Sequence, residues 1–148
     1  MSLPLLLVVE DEESDALLLE RALRRTKSGF RMVRVANGEE AINYVSGKGP
    51  YRDRNAYPLP DLVLLDLKMP RQDGFAVLRW RQQTQGVVRL PVIVFSSSNL
   101  MQDIDRALEL GANSYVVKPT ASGRLEMMVE ALHEWWGGFH CTGSRAFA

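Results

Sequence analysis

Apolar residues gather in five short runs along this chain, and between the runs they recur every three or four positions. Residues 3–9, Leu-Pro-Leu-Leu-Leu-Val-Val, form an unbroken run that predicts a buried strand, closed by the acidic burst Glu10-Asp11-Glu12-Glu13. Ser14 or Asp15 can cap the helix that follows. Ala16, Leu19, Ala22 and Leu23 then repeat at helical spacing until Lys27-Ser28-Gly29. Arg31–Val35 alternates polar and apolar residues, as a strand near a sheet edge does. Asn37-Gly38 makes a turn into a short helix, Glu39–Val45, with Ala41, Ile42 and Val45 inward.

Residues 46–60 carry glycines, prolines, tyrosines and charges, and predict a surface loop on the long side for a compact domain. Leu62–Leu65 is a third buried strand, ending abruptly on Asp66. Pro70 and Asp73-Gly74 break the chain before a helix from about Asp73 to Gln83, carrying Phe75, Val77, Leu78 and Trp80. A fourth strand, Pro91–Phe95, ends in Ser96-Ser97-Ser98-Asn99. The next helix bears Ile104, Ala107, Leu108 and Leu110 and is closed by Gly111. The fifth strand, Ser114–Val117, ends on Lys118-Pro119. The last helix, from about Ala121 to Trp136, places Leu125, Met128, Val129, Leu132 and Trp136 on one stripe, with Trp135 off it. Five strands alternating with five helices make an α/β domain, a parallel sheet built from right-handed crossovers and covered on both faces.

In such a sheet every strand's carboxyl end lies on one edge, where open α/β folds keep their sites. That edge would collect Glu10 and Asp11, Asp66, Ser96 and Lys118. Clustered carboxylates repel one another unless something positive joins them. An oxygen-only donor set selects a hard cation, and Mg²⁺ suits one that leaves room for waters. A lysine and a hydroxyl beside it complete a site for a phosphoryl group carried on a carboxylate nucleophile.

Composition narrows the field. The chain has 148 residues, enough for one domain with a core, and its 46% hydrophobic and 24% charged content is ordinary for a globular protein. Basic and acidic residues balance at 18 each, which argues against a general nucleic-acid or membrane footprint. Cys141, the single cysteine, excludes an internal disulfide and a thiolate zinc cluster. The first apolar run is too short to span a membrane, which takes ~20 residues, and lacks a basic leader, so the expected compartment is the cytoplasm. Gly47-Lys48-Gly49 neither follows a strand nor opens a helix, which removes a phosphate-loop reading. His133 and His140 have no ligand-spaced partners, and Trp135, Trp136 and Phe139 form an aromatic cluster suited to an interface or to plugging the end of the core.

Taken in order, Glu10-Asp11, Asp66-Leu67-Lys68-Met69-Pro70, Ser96 and Lys118-Pro119 resemble the receiver domain of two-component response regulators, over nearly the whole chain. The resemblance implies a flavodoxin-like (βα)5 three-layer sandwich with strand order 2-1-3-4-5. It implies a receiver domain at residues 3–136 and a short tail at 137–148, with no output domain. Asp66 would accept a phosphoryl group from a sensor histidine kinase. Mg²⁺ would be held by Asp11, Asp66 and the Lys68 backbone carbonyl, with Glu10 acting through water. Lys118 and Ser96 would take up the phosphoryl group, and Tyr115 would turn inward as the switch aromatic. The peptide before Pro119 would be cis, and Lys68 and Ser98 occupy the positions that tune dephosphorylation, Lys68 by covering the phosphoryl group. Glu10 stands for the commoner aspartate and Ser96 for the frequent threonine.

The insertion Ser46–Leu59 resembles that of stand-alone receivers paired with bacteriophytochromes; an ordinary surface excursion is the other reading. With no output domain the switch would act by contact, through a homodimer or kinase contact on the face of the fourth helix, fifth strand and fifth helix, where Leu100, Met101, Tyr115 and Trp135 lie. Two further functions compete. A haloacid dehalogenase-type phosphatase would need an acid two residues after the nucleophile, where Lys68 stands, and a degenerate scaffold would not need Asp11, Asp66, Ser96 and Lys118 intact.

Overall fold

The computed structural model describes residues 3–26, 29–121 and 123–139, with side chains through residue 137. Five strands, β1 (Leu5–Val9), β2 (Arg31–Val35), β3 (Leu62–Leu65), β4 (Val92–Ser96) and β5 (Ser114–Val117), form one parallel sheet in the order β2-β1-β3-β4-β5. Five helices connect them: α1 (Glu13–Arg25), α2 (Gly38–Ser46), α3 (Gly74–Gln83), α4 (Met101–Glu109) and α5 (Arg124–Glu134). This is the flavodoxin-like three-layer sandwich expected from the sequence. β2 lies at an edge, as its alternating pattern required.

Strand alternation divides the core in two. Leu5, Leu7, Val9, Val63, Leu65, Val92 and Val94 pack with Ala41, Tyr44, Phe75, Leu78 and Ala107 of α2, α3 and α4. Leu6, Val8, Leu62, Leu64, Ile93 and Phe95 face the other way, against Leu19, Ala22, Val129 and Leu132 of α1 and α5. The central strands are buried on both faces, which is why β1 and β3 read as continuous apolar runs. Register then sets the site. Val9 pairs with Leu65, so the next residues, Glu10 and Asp66, emerge side by side.

The helix termini refine the sequence reading. Glu12, not Ser14 or Asp15, occupies the N-cap of α1, without a side-chain cap bond, and Asp15 falls inside the first turn. Asn37 is a helix cap, accepting from the Glu40 amide at 2.9 Å, and Asp73 caps α3 through the Ala76 amide at 3.0 Å. Helix α5 begins at Arg124, three residues late, and passes into a π-helical turn, Trp135–Phe139. Trp135 packs against the core there together with Trp136. The Trp136 indole donates to the Asp61 carbonyl at 3.3 Å. The expected helix end at Lys27-Ser28, the Phe139 side chain, His140 and Cys141 lie outside what is described.

The stretch 46–60 is built rather than loose. It holds a 3-10 turn, Gly49–Tyr51. The rings of Tyr44, Tyr51 and Tyr57 contact one another pairwise with centroids 5.1 to 6.0 Å apart, Tyr57 meeting the other two edge-to-face. Arg54 donates to the carbonyls of Tyr44 and Val45 at 2.8 and 2.6 Å, tying off the carboxyl end of α2. Tyr51 hydroxyl donates to Glu40.

Candidate functional site

Each site residue is placed by a strand end. Glu10 and Asp11 follow β1, Asp66 follows β3, Ser96 ends β4 and Lys118 follows β5. One carboxylate oxygen from each of Glu10, Asp11 and Asp66 lies within 4.8 Å of the others. Glu10 and Asp66 are buried while Asp11 is half-buried, so the cluster opens to solvent on the Asp11 side. The Arg34 guanidinium, from β2, donates to the backbone carbonyls of Glu10 and Asp11 at 2.9 and 3.2 Å and fixes the acidic turn.

Lys118 enters from the end of β5. Its Nζ lies 2.6 Å from Glu10 Oε1, 2.9 Å from Asp15 Oδ2 and 3.5 Å from Asp66 Oδ2. Burial alone would lower the lysine, but hydrogen bonds to Glu10 and Asp15 and the charges of Asp66 and Glu10 outweigh it and raise it above its ordinary value. The ammonium stays charged. Burial pushes Glu10 up to about 7, with the nearby Asp66 charge adding to it, even though Lys118 and the Glu12 amide pull the other way. One ammonium is shared by the carboxylates of Glu10, Asp15 and Asp66, with Asp11 beside them, so acidic groups outnumber it here. A donor set made wholly of oxygen, under-compensated and open on one side, fits a hard divalent cation.

The peptide preceding Pro119 is trans; no cis peptide occurs among the described residues. The expected cis-proline is thus corrected. Lys118 is aimed without it, because its amide donates to the Ser96 carbonyl at 2.8 Å and its ammonium is drawn by three carboxylates. Trans is also the ordinary state of an X–Pro bond.

The loop after Asp66 is locked from two sides. Asp66 Oδ1 accepts from the Leu67 amide at 2.8 Å. Arg71 and Gln72 both adopt left-handed backbone, with φ of 50° and 63°, a conformation disfavoured for residues with a Cβ. Their carbonyls are held by the first amides of α2: Glu39 donates to Arg71 and Gly38 to Gln72, at 3.2 and 3.1 Å. Gly38 and Gly74 permit the approach, since a Cβ on Gly38 would strike the Gln72 carbonyl and one on Gly74 the Asp66 carbonyl.

The loop after β4 carries a second network. Ser96 is buried, and its Oγ accepts from the Ser98 amide at 3.2 Å. Ser98 Oγ donates to Asp103 Oδ2 at 2.5 Å, and the Ser98 carbonyl accepts from the Tyr115 hydroxyl at 2.8 Å. Lys68 is 70% exposed, with its Nζ 4.0 Å from Asp103. The two positions read as rate-tuning, Lys68 and Ser98, thus meet on one carboxylate. Asp103 was not picked out in the sequence, and Asp15 was picked out only as a cap. The signal for both is position: each sits in the first turn of a helix that starts at the sheet edge bearing the site.

The sequence of the response regulator receiver domain family matches residues 6–130. This chain belongs to that family, the receivers of two-component signalling. It is 30% identical to the response regulator Rcp1 of Synechocystis sp. over 88% of this chain and 87% of that protein. The Mn(2+)-bound form of Rcp1 superposes with a TM-score of 0.82, at 28% identity, over 95% of this chain and 99% of that one. RPA3017, a response regulator in red light signalling of R. palustris, superposes at 0.90, with 34% identity over 96% of this chain and 99% of its own. The phosphorylated cyanobacterial phytochrome response regulator RcpA superposes at 0.85, with 31% identity over 95% and 98%. No described helix is long and apolar enough to cross a membrane.

Proposed function

We propose that Asp66 is the phospho-acceptor of a stand-alone receiver that takes its phosphoryl group from a sensor histidine kinase and passes the signal on by contact. The observation that carries this reading is the convergence of Glu10, Asp11 and Lys118 on Asp66 at one sheet edge. In the transfer, an Asp66 carboxylate oxygen forms a bond to the phosphorus of a phosphohistidine, the P–N bond breaks, and the imidazole leaves with the kinase. Asp11, Asp66 and the Lys68 carbonyl would hold Mg²⁺, with Glu10 reaching it through water. The ion supplies charge that neutralises the incoming phosphoryl oxygens. Lys118 takes one of those oxygens and excludes water from the buried side of the site. Ser96 turns its hydroxyl from the Ser98 amide to the phosphoryl group, and Tyr115 turns inward as its bond to the Ser98 carbonyl is released.

Lys68 and Ser98 tune hydrolysis, Lys68 by covering the phosphoryl group. Their common partner Asp103 sets where both rest. Lys68 in place of an acid also weighs against a dehalogenase-type phosphatase. The kinship with RcpA, Rcp1 and RPA3017 and the ordered insertion before β3 support a phytochrome-type kinase as partner. Exposed Leu100, Met101 and Val117, on the face of α4, β5 and α5, support a homodimer or kinase contact there.

Incubation with acetyl phosphate and Mg²⁺, read by intact mass, tests the reading. One stable phosphoryl group, lost in Asp66→Asn, is the expected result. Rapid turnover of varied phosphate esters would favour a phosphatase instead, and no reaction a scaffold.

A further inference from the structure

We propose that Asp15 is a positioning residue, a releasable anchor that holds Lys118 back from Asp66 until a phosphoryl group arrives. The inference rests on the reading of Asp66 as acceptor and adds a residue to it.

Lys118 has three N–H bonds to give and three carboxylates around it. The two short contacts go to Glu10 and Asp15, at 2.6 and 2.9 Å, and the long one to Asp66, at 3.5 Å. In this state the ammonium sits nearer Glu10 and Asp15 than the acceptor. A phosphoryl group on Asp66 brings further negative charge and new acceptor oxygens, and Lys118 can close its 3.5 Å distance to that side only by lengthening one of its two short bonds.

The two bonds are unequal. The Glu10 side chain is 3% exposed, and a buried carboxylate stripped of its partner is strongly disfavoured. The Asp15 side chain is 38% exposed, so water can replace the lysine there at little cost. Asp15 also lies in the first turn of α1, where the helix N-terminus favours a negative charge whether or not the lysine remains. Asp15 is therefore the arm that lets go. Its carboxylate weights the equilibrium toward the unphosphorylated arrangement, and its removal frees Lys118 for the phosphoryl group.

The test titrates beryllofluoride, a phosphoryl mimic, into the Mg²⁺-loaded protein by calorimetry. Asp15→Asn, which keeps the shape and deletes the charge, is expected to bind it about fivefold more tightly, the factor carried by a part-exposed ion pair. Asp15→Glu restores a carboxylate within reach of Lys118 and is expected to return toward wild type. Glu13→Gln removes a charge from the same turn without touching Lys118 and is expected to leave the affinity unchanged. Unchanged or weaker binding in Asp15→Asn overturns the proposal, as does equal tightening in Glu13→Gln or Asp15→Glu. A crystal structure of metal-free Asp15→Asn decides independently of the mimic: the Lys118 ammonium should lie closer to Asp66, and an unmoved ammonium would overturn the anchor. If the wild-type protein took neither beryllofluoride nor phosphoryl, the acceptor reading would fall while this second arm still judged Asp15. Asp15→Ser takes the place of the asparagine variant should that one fold poorly.

Discussion

The Gly38 amide donates to the carbonyl of Gln72 at 3.1 Å, across a gap with no room for a Cβ. This contact clamps the loop after β3, on which the Asp66 carboxylate and the Lys68 carbonyl are presented, to the amino end of α2. Gly38→Ala forces the two apart. It is expected to destabilise the fold by about 1–3 kcal/mol, the range for overpacking. Mg²⁺ affinity should fall with it, since the proposed metal ligands span the displaced loop. Urea unfolding and a Mg²⁺ titration check the two effects; unchanged metal affinity would show that the clamp does not shape the site.

Lys118 neutralises a carboxylate that cannot reach water. Lys118→Met leaves Glu10 buried with the Glu12 amide as its remaining partner at 3.2 Å. Stability should fall by about 1–3 kcal/mol at neutral pH. A Glu10→Gln background should recover most of that loss, because the cost lies in Glu10, which without the lysine must stay buried unpaired or take up a proton. Additive losses in the double variant would contradict the pairing.

Glu10 also sets a pH signature. Burial raises its folded-state value from 4.5 to about 7. The folded protein therefore holds a proton that the unfolded chain has already lost, and in metal-free buffer this group's contribution to stability declines as pH rises from about 4.5 to about 7, then levels. Mg²⁺ should flatten the decline, and so should Glu10→Gln. Thermal unfolding across that pH range, with and without Mg²⁺, reads the slope; an identical slope in Glu10→Gln would assign it to another group.

Arg81 holds the sheet's far end rather than the site. It is buried, and its guanidinium donates to the Leu90 carbonyl at 2.7 Å, the Gly111 carbonyl at 3.0 Å and Asn113 Oδ1 at 3.1 Å. Burial lowers its pKa without a carboxylate to offset it. Arg81→Met takes the donor from the Leu90 and Gly111 carbonyls, while Asn113 Oδ1 keeps the Val92 amide, and is expected to cost about 2–4 kcal/mol of stability. Phosphorylation of the folded fraction should be retained, which separates this residue from the acidic cluster.

The sheet was legible because its central strands, β1, β3 and β4, are buried on both faces. Continuous apolar runs such as Leu62–Leu65 have no competing helical reading at that length, and each ends on a polar residue that marks the edge. The acceptor cluster was legible for the same reason, through Glu10, Asp66, Ser96 and Lys118. What escaped was set by tertiary contact. Asp15 looks like any helix-start carboxylate until Lys118 arrives from β5. Arg81 looks like a solvated helix residue until α3 packs against the Leu90 and Asn113 segments. Trp135 packs with Trp136 because it follows Leu132 by three residues and still holds helical dihedrals, so the apolar stripe is wide enough to take both. The trans peptide before Pro119 could not be read either, since an X–Pro bond has two accessible states and local sequence does not choose between them.

The central claim concerns which carboxylate becomes phosphorylated. Borohydride reduces an acyl phosphate to an alcohol, turning the modified aspartate into homoserine. The protein, phosphorylated in Mg²⁺, reduced and then sequenced by peptide mass spectrometry, should carry homoserine at position 66 and at no other. Homoserine at position 11, or an unmodified residue 66 in a protein that has gained a phosphoryl group, would contradict the account.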